Sequence, residues 1–159
     1  MSQYLVLSKV KVQNANTIAG FTWGFPAITQ FLGFVHALSR KISNKYEGDY
    51  HTEFSGCVVI ANQVHNKVYR SKPHADFEFI QSRNPPTLER HKNGKKVPVI
   101  EEGKLNVTVS LVLEIKKDLM LNTEQVAVFE RYIKDLCLRM RIAGGLILDI
   151  GSVDFFSAN

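Results

Sequence analysis

The chain has 159 residues, 45% of them hydrophobic, and its 20 Lys and Arg against 15 Asp and Glu give a formal charge of +5. That length suits one domain with or without an insertion, and that apolar fraction builds a globular core rather than a disordered chain. The modest positive charge is compatible with a polyanionic partner. No apolar stretch is long enough to span a bilayer, and residues 1–12 predict no secretory signal because polar residues interrupt them early.

Tyr4 to Gln13 alternates and predicts a strand, with Tyr4, Val6, Ser8, Val10 and Val12 on one face and Leu5, Leu7, Lys9 and Lys11 on the other. Asn14, Asn16 and Gly20 then supply turn chemistry. Phe25 to Ile42 predicts a helix with Pro26 in its first turn. Ile28, Phe31, Leu32, Val35, Leu38 and Ile42 form its apolar stripe, and Thr29, Gly33, His36 and Arg40 form a second one. Gly33 costs such a helix about 1 kcal/mol against Ala, which a close approach by another backbone, a partner or RNA would offset.

After a polar loop at 43–52, Phe54 to Tyr69 predicts a long or bent strand with Val58, Ile60, Val64 and Val68 on one face. Residues 70–96 change character. Seven basic residues face three acidic ones, three prolines appear and aliphatic residues are few. A stretch this long without periodicity is usually functional or disordered. It predicts a basic insertion over about 70–103, with a short hairpin at Asn93-Gly94.

Lys104 to Ile115 gives the clearest strand, with Leu105, Val107, Val109, Leu111, Leu113 and Ile115 alternating with polar residues. Asn122 and Gln125 are spaced as a capping box for a second helix. Its buried face is Val126, Phe129, Ile133, Leu136 and Met140, and Gly144-Gly145 is expected to end it. Leu146 to Ile150 predicts a last strand, followed from Gly151 by an irregular tail. The order β-α-β-β-α-β predicts an α+β chain, a single ferredoxin-like (RRM-like) domain over residues 1–159, with a four-stranded antiparallel sheet and two helices on one face.

Several chemistries lack their motifs. No GxGxxG, P-loop or GxSxG is present. None of the five histidines forms an HExxH pair or stands near a cysteine at ligand spacing, so no metal and no cofactor is expected. Cys57 and Cys137 read as buried free thiols of a reducing cytosol. The aromatic signature of RNA-recognition modules is missing from the third strand, which carries Asn106, Thr108 and Ser110 instead. RNA binding would therefore rest on phosphate contact and loop capture. Lys9 and Lys11 fit either an ordinary solvated face or a track for an RNA backbone, and His65, Lys67 and Tyr69 carry the same two readings. Gly144-Gly145 fits either a helix stop or a close approach of RNA.

A family resemblance joins these residues. The run GFPAITQFLGFVHAL from Gly24 to Leu38 resembles the first helix of the type I-F CRISPR (Csy) surveillance-complex subunit that holds the 5′ handle of the CRISPR RNA. Val12 to Asn16, Ser82 to Pro86 and Glu101 to Leu111 resemble the same family, in the same order. Arg139 to Gly145, RMRIAGG, is similar to the glycine-rich turn of RAMP-superfamily proteins. The family's members are longer, and this chain corresponds to their N-terminal half.

The resemblance implies a cytoplasmic, non-catalytic RNA-binding subunit in antiviral defence. Its implied partners are the crRNA 5′ handle, the large subunit, the backbone RAMP subunit and, through the complex, target double-stranded DNA found by guide pairing. Charge and loop position, added to the resemblance, mark Lys9, Lys11, Arg70, Lys72, Arg83, Arg90, Lys92, Lys95, Lys96, Arg139 and Arg141 for phosphate contact. Asn14, Asn16 and Asn84 are candidates for sugar or base, and Gly144 and Gly145 for close approach. Some RAMP proteins are metal-independent endoribonucleases; His36, His65 and Tyr69 would then be the general-base candidates. A protein-interaction or regulatory module of the same complex is a further alternative.

Overall fold

The computed structural model describes residues 2–45, 52–80, 82–83, 94, 99–100 and 103–158. Strand β1 (Ser2–Asn16) leads into a two-residue hairpin, β2 (Ile18–Ala19) with β3 (Thr22–Trp23), and then helix α1 (Ile28–Lys45). β4 (Phe54–Asn66) follows, then the small ladders β5 (Val68–Tyr69) with β6 (Glu78–Phe79) and β7 (Ser82–Arg83) with β8 (Val99–Ile100). β9 (Lys104–Ile115), α2 (Thr123–Cys137), β10 (Arg141–Ile142), β11 (Gly145–Asp149) and β12 (Ser152–Ala158) complete the chain.

The molecule is α+β, and its main sheet is antiparallel with six strands rather than the four expected. The order is β10-β11-β1-β9-β4, with β12 also on β1. Two local events supply the extra strands. Ala143 and Gly144 take left-handed backbone, turning β10 back on β11, so Gly144-Gly145 closes a hairpin rather than a helix. α2 ends earlier, at Cys137. Beyond Gly151 the expected tail is instead β12, paired with β1 from Ser2↔Ala158 to Ser8↔Ser152. Gly151 donates its N–H to Ser8 O at 3.0 Å, and a Cβ there would sit 3.1 Å from that oxygen.

The expected facing of β1 is corrected at its bulges. Leu5, Leu7, Val10, Val12 and Ala15 are all buried, because the register slips between Leu7 and Val10 and again between Val12 and Ala15. β4 slips twice, between Phe54 and Gly56 and between Ala61 and Gln63. Val58 and Ile60 therefore lie on the open side and are exposed, while Cys57 and Val59 pack on the core. β9 follows strict alternation, with Leu105 through Ile115 buried at every second residue.

The helices cover the apolar side of the sheet. α1 buries Phe31, Phe34, Val35, Leu38 and Ile42, whereas Ile28 and Leu32 stay exposed, so the buried stripe is rotated toward Phe34 from the one expected. α2 buries Phe129, Ile133 and Cys137. Its capping box forms: Asn122 Oδ1 accepts the Gln125 N–H at 2.9 Å, and Gln125 Oε1 accepts the Asn122 N–H at 2.9 Å. Burial pushes the Cys137 thiol up to about 12 and raises Cys57 by the same cause. Both cysteines are free.

Candidate nucleic-acid interface

The two slips in β1 have residues to account for them. Lys9 and Asn14 sit in the left-handed region, at φ 51° and 57°, and each is the extra residue of a bulge. A bulge leaves a backbone N–H without its ladder partner, and here β9 supplies side chains instead. Lys9 N–H donates to Ser110 Oγ at 3.0 Å, and Asn14 N–H donates to Asn106 Oδ1 at 3.1 Å. The Ser110 hydroxyl donates onward to Asn62 Oδ1 at 2.8 Å, at the second slip in β4. Lys67 Nζ donates to Asn14 Oδ1. The polar residues of β9 thus hold the bulges of its neighbours.

Directly opposed residues of a sheet share a face, so the pairings define the uncovered side. At one end it carries Tyr4, Val6, Val58, Ile60, Val112 and Phe156, with Glu114 and Asp154 among them. At the other it carries Lys11, Gln63, His65, Asn106, Thr108 and Asp149. Lys11 Nζ lies 3.4 Å from Asp149 Oδ2, both well exposed. Such a pair contributes under about 1 kcal/mol, so it holds the lysine only weakly. A depression of about 190 Å³ at this polar end is lined by Lys11, Gln13, His65, Asn106, Thr108 and Leu148.

At the far end of β1 a groove of about 440 Å³ opens toward α1, lined by Asn16, Gln30, Gly33, Ala37, Arg141 and Gly144. Asn16 N–H donates to Ala143 O at 2.8 Å, tying the strand to the glycine turn. The Asn16 side chain accepts from Ile18 N–H at 3.1 Å, so part of its work is to shape the chain's exit. Arg141 Nη1 donates to Gly144 O at 3.2 Å. At Gly33 a Cβ would meet no atom within 4 Å. Among the described residues no other backbone approaches it; the missing side chain opens the groove.

The paired glycines have separate reasons. A Cβ on Gly145 would stand 2.6 Å from Val12 Cγ1 and 2.8 Å from both Ala15 N and Gln13 O. Strand packing accounts for that glycine. Gly144 has φ 73° and open space around it, facing the groove.

The structure therefore brings Lys11 and Asn14 to the polar end of the open face and Asn16, Arg141 and Gly144 to the adjoining groove, with exposed Lys9 at the first bulge. Arg70 is engaged locally, with Cζ 4.0 Å over the Phe77 ring and Nη1 donating to Pro73 O at 3.2 Å. Lys72 is exposed in the same turn. Arg139 donates from Nε to Asp135 O at 3.1 Å, closing the end of α2. Arg83 pairs with Val99. Asn84, Arg90, Lys92, Lys95, Lys96 and the expected turn residue Asn93 lie outside the described residues. Asn62, Gln63, Asn106 and Ser110 join the site without having been singled out for it, and Lys67 joins it from the set that carried two readings; for Asn106 and Ser110 the polar alternation of β9 was the available signal.

The three general-base candidates do not converge. His36 stands on α1, on the covered side of the sheet, while His65 pairs with Asn106 on the open side. The Tyr69 hydroxyl donates to Glu78 Oε2 at 2.8 Å, and that bond to a carboxylate raises the phenol above its ordinary value. No group of three or more potential metal ligands occurs among the described residues.

Residues 5–159 match the family model for CRISPR-associated protein Cas_Csy2. The chain belongs to the Csy2 family. It is similar to the CRISPR-associated protein Csy2 of Pseudomonas aeruginosa (strain UCBPP-PA14), with 30% identity over 145 residues. The alignment takes in 91% of this chain and 42% of that relative, so the chain spans less than half the length of that Csy2. Both bulges, the whole of β9 and the glycine turn fall inside the span matched to the Csy2 family.

Proposed function

We propose that this Csy2-family chain is a non-catalytic, guide-RNA-binding subunit of a type I-F CRISPR (Csy) interference complex, acting in the cytoplasm in antiviral defence. It holds the 5′ handle of the crRNA together with the large subunit and the backbone RAMP subunit. Target double-stranded DNA is then recognised through the guide, by base pairing. Within the six-stranded sheet the order β11-β1-β9-β4, with one helix between β1 and β4 and another between β9 and β11, supports a ferredoxin-like RAMP unit to which β10 and β12 are added.

One observation carries the reading. The uncovered polar end of the sheet and the glycine groove meet at the C-terminal end of β1; the first presents Lys11, with Asn14 beside it on Asn106, the second presents Asn16, Arg141 and Gly144, and exposed Lys9 stands farther back at the first bulge. Lysines and an arginine suit phosphates, amides suit sugar and base edges, and a side-chain-free groove admits a backbone. Among the described residues no aromatic ring lines the depression at the polar end, so grip there comes from phosphate and 2′-hydroxyl contacts. The basic residues of the insertion, Arg70, Lys72, Arg83, Arg90, Lys92, Lys95 and Lys96, with Asn84, extend the same contact, and Arg139 adds to it near the glycine turn.

The test is a titration of a labelled RNA bearing a repeat-derived 5′ handle, in chelator. Lys11→Ala and Arg141→Ala are each expected to weaken binding roughly tenfold, about 1.4 kcal/mol, and the RNA is expected to stay intact. Unchanged affinity in both variants overturns the placement of the site. Specific cleavage that disappears in His36→Ala or His65→Ala overturns the non-catalytic assignment and favours an endoribonuclease.

A further inference from the structure

The sheet order ends on β4, and among the described residues nothing pairs with its outer edge. That edge is thirteen residues long, FSGCVVIANQVHN. Soluble proteins guard long edges with lysines, other charges, prolines or short length. β4 contains no Lys, Arg, Asp, Glu or Pro, and its two register slips, between Phe54 and Gly56 and between Ala61 and Gln63, leave the run from Gly56 to Ala61 regular between them.

Both flanks of the edge offer apolar seats. On the open side Val58 and Ile60 are 57% and 46% exposed. On the helix side a groove of about 680 Å³ runs between α1 and the first half of β4, lined by Leu32, Val35, His36, Arg40, Phe54 and Cys57 among others. An added strand would set alternate side chains against the two flanks and bury apolar residues on both of its faces. At the groove Lys116 Nζ pairs with Glu53 Oε2 at 2.9 Å. On the open side Glu114 Oε2 accepts from the Ser55 hydroxyl at 2.8 Å. Arg40 has no ion pair among the described residues.

These features choose among occupants. An RNA strand would gain nothing from Val58, Ile60 and Leu32. A second copy of this chain would bring another +5 charge against the first. A protein strand with a carboxylate satisfies both the apolar flanks and Arg40. We propose that β4 is a docking edge onto which an extended segment of a protein partner adds as a further strand, apolar on both faces and with a carboxylate set against Arg40.

The inference rests on the reading that the chain works inside a multisubunit complex. The experiment co-expresses the full chain with the CRISPR-associated subunits of a type I-F system, and follows amide hydrogen exchange in the purified assembly and in the chain alone. Alternate amides between Ser55 and Ala61 are expected to exchange at least about tenfold more slowly in the assembly. Ile60→Lys and Arg40→Glu are each expected to cut recovered partner about tenfold, about 1.4 kcal/mol, while handle-RNA affinity of the isolated chain stays unchanged. Co-purification with β4 unprotected, or undiminished by both variants, sinks the docking edge alone. No co-purifying subunit at all sinks both this inference and the complex-subunit reading. Protection in the chain alone that grows with its concentration identifies a second copy, and protection induced by RNA without protein identifies a nucleic acid; either overturns the proposal.

Discussion

Among the described residues, Lys9, Asn14 and Ala143 are the non-glycine residues with left-handed backbone, and all three stand where a strand is bent or turned. Asn tolerates that region better than most residues, which suits Asn14 to its bulge; Lys9 has no such preference and relies on its bond to Ser110. The two adjacent glycines separate folding from function more cleanly. Gly145→Ala forces a methyl into Val12 and into the backbone of β1, and overpacking of that kind costs about 1–3 kcal/mol. Gly144→Ala meets only the left-handed penalty, about 1–2 kcal/mol, and then narrows the groove. Chemical denaturation together with RNA titration checks this. Gly145→Ala is expected to lose stability while its folded fraction binds RNA normally, and Gly144→Ala to lose affinity beyond what its stability loss explains.

The elements differ in how plainly the sequence announces them, and the bulges explain most of the difference. β9 has no slip, so its period of two survives intact and its buried set is readable residue by residue. In β1 the buried residues fall at 5, 7, 10, 12 and 15. That spacing of two, three, two, three is the mark of a bulge every fifth residue, and strict alternation assigns half the strand to the wrong face. β12 was hidden for another reason: its seven residues carry a polar start, and the strand exists because β1 offers the first half of its length as a template. The candidate site inherits the same pattern. Asn14, Asn16, Lys11 and Arg141 were visible as polar residues near turns, but Asn106 and Ser110 acquire their role only through the bulges they satisfy. α2 was legible because its cap is local chemistry. Asn122→Ala removes the acceptor for the Gln125 N–H and is expected to cost about 1 kcal/mol, seen as a lower denaturation midpoint with RNA affinity unchanged. A loss of RNA binding in that variant would show that α2 does more than cover the sheet.

Taken as a whole, the molecule divides its uncovered sheet face into an apolar end, beside the open edge of β4, and a polar end, running into the glycine groove. If RNA lies on the polar end, its affinity must fall with salt, because each neutralised phosphate releases condensed counterions. For a single strand the log–log slope is about −0.7 per phosphate. Lys9 and Lys11 lie on the same strand, one at a bulge and one paired weakly to Asp149. Replacing both by Ala is therefore expected to make the slope shallower by about 1.4, twice the value for one phosphate. Ile60→Lys, at the apolar end, adds a charge of the right sign in the wrong place and is expected to leave the slope where it was. The comparison is sharp because net charge alone predicts a steeper slope for Ile60→Lys: a binding surface spread over the whole basic chain would respond to any added lysine. A slope unchanged in the double variant, or steepened by Ile60→Lys, would move the RNA off this end of the sheet.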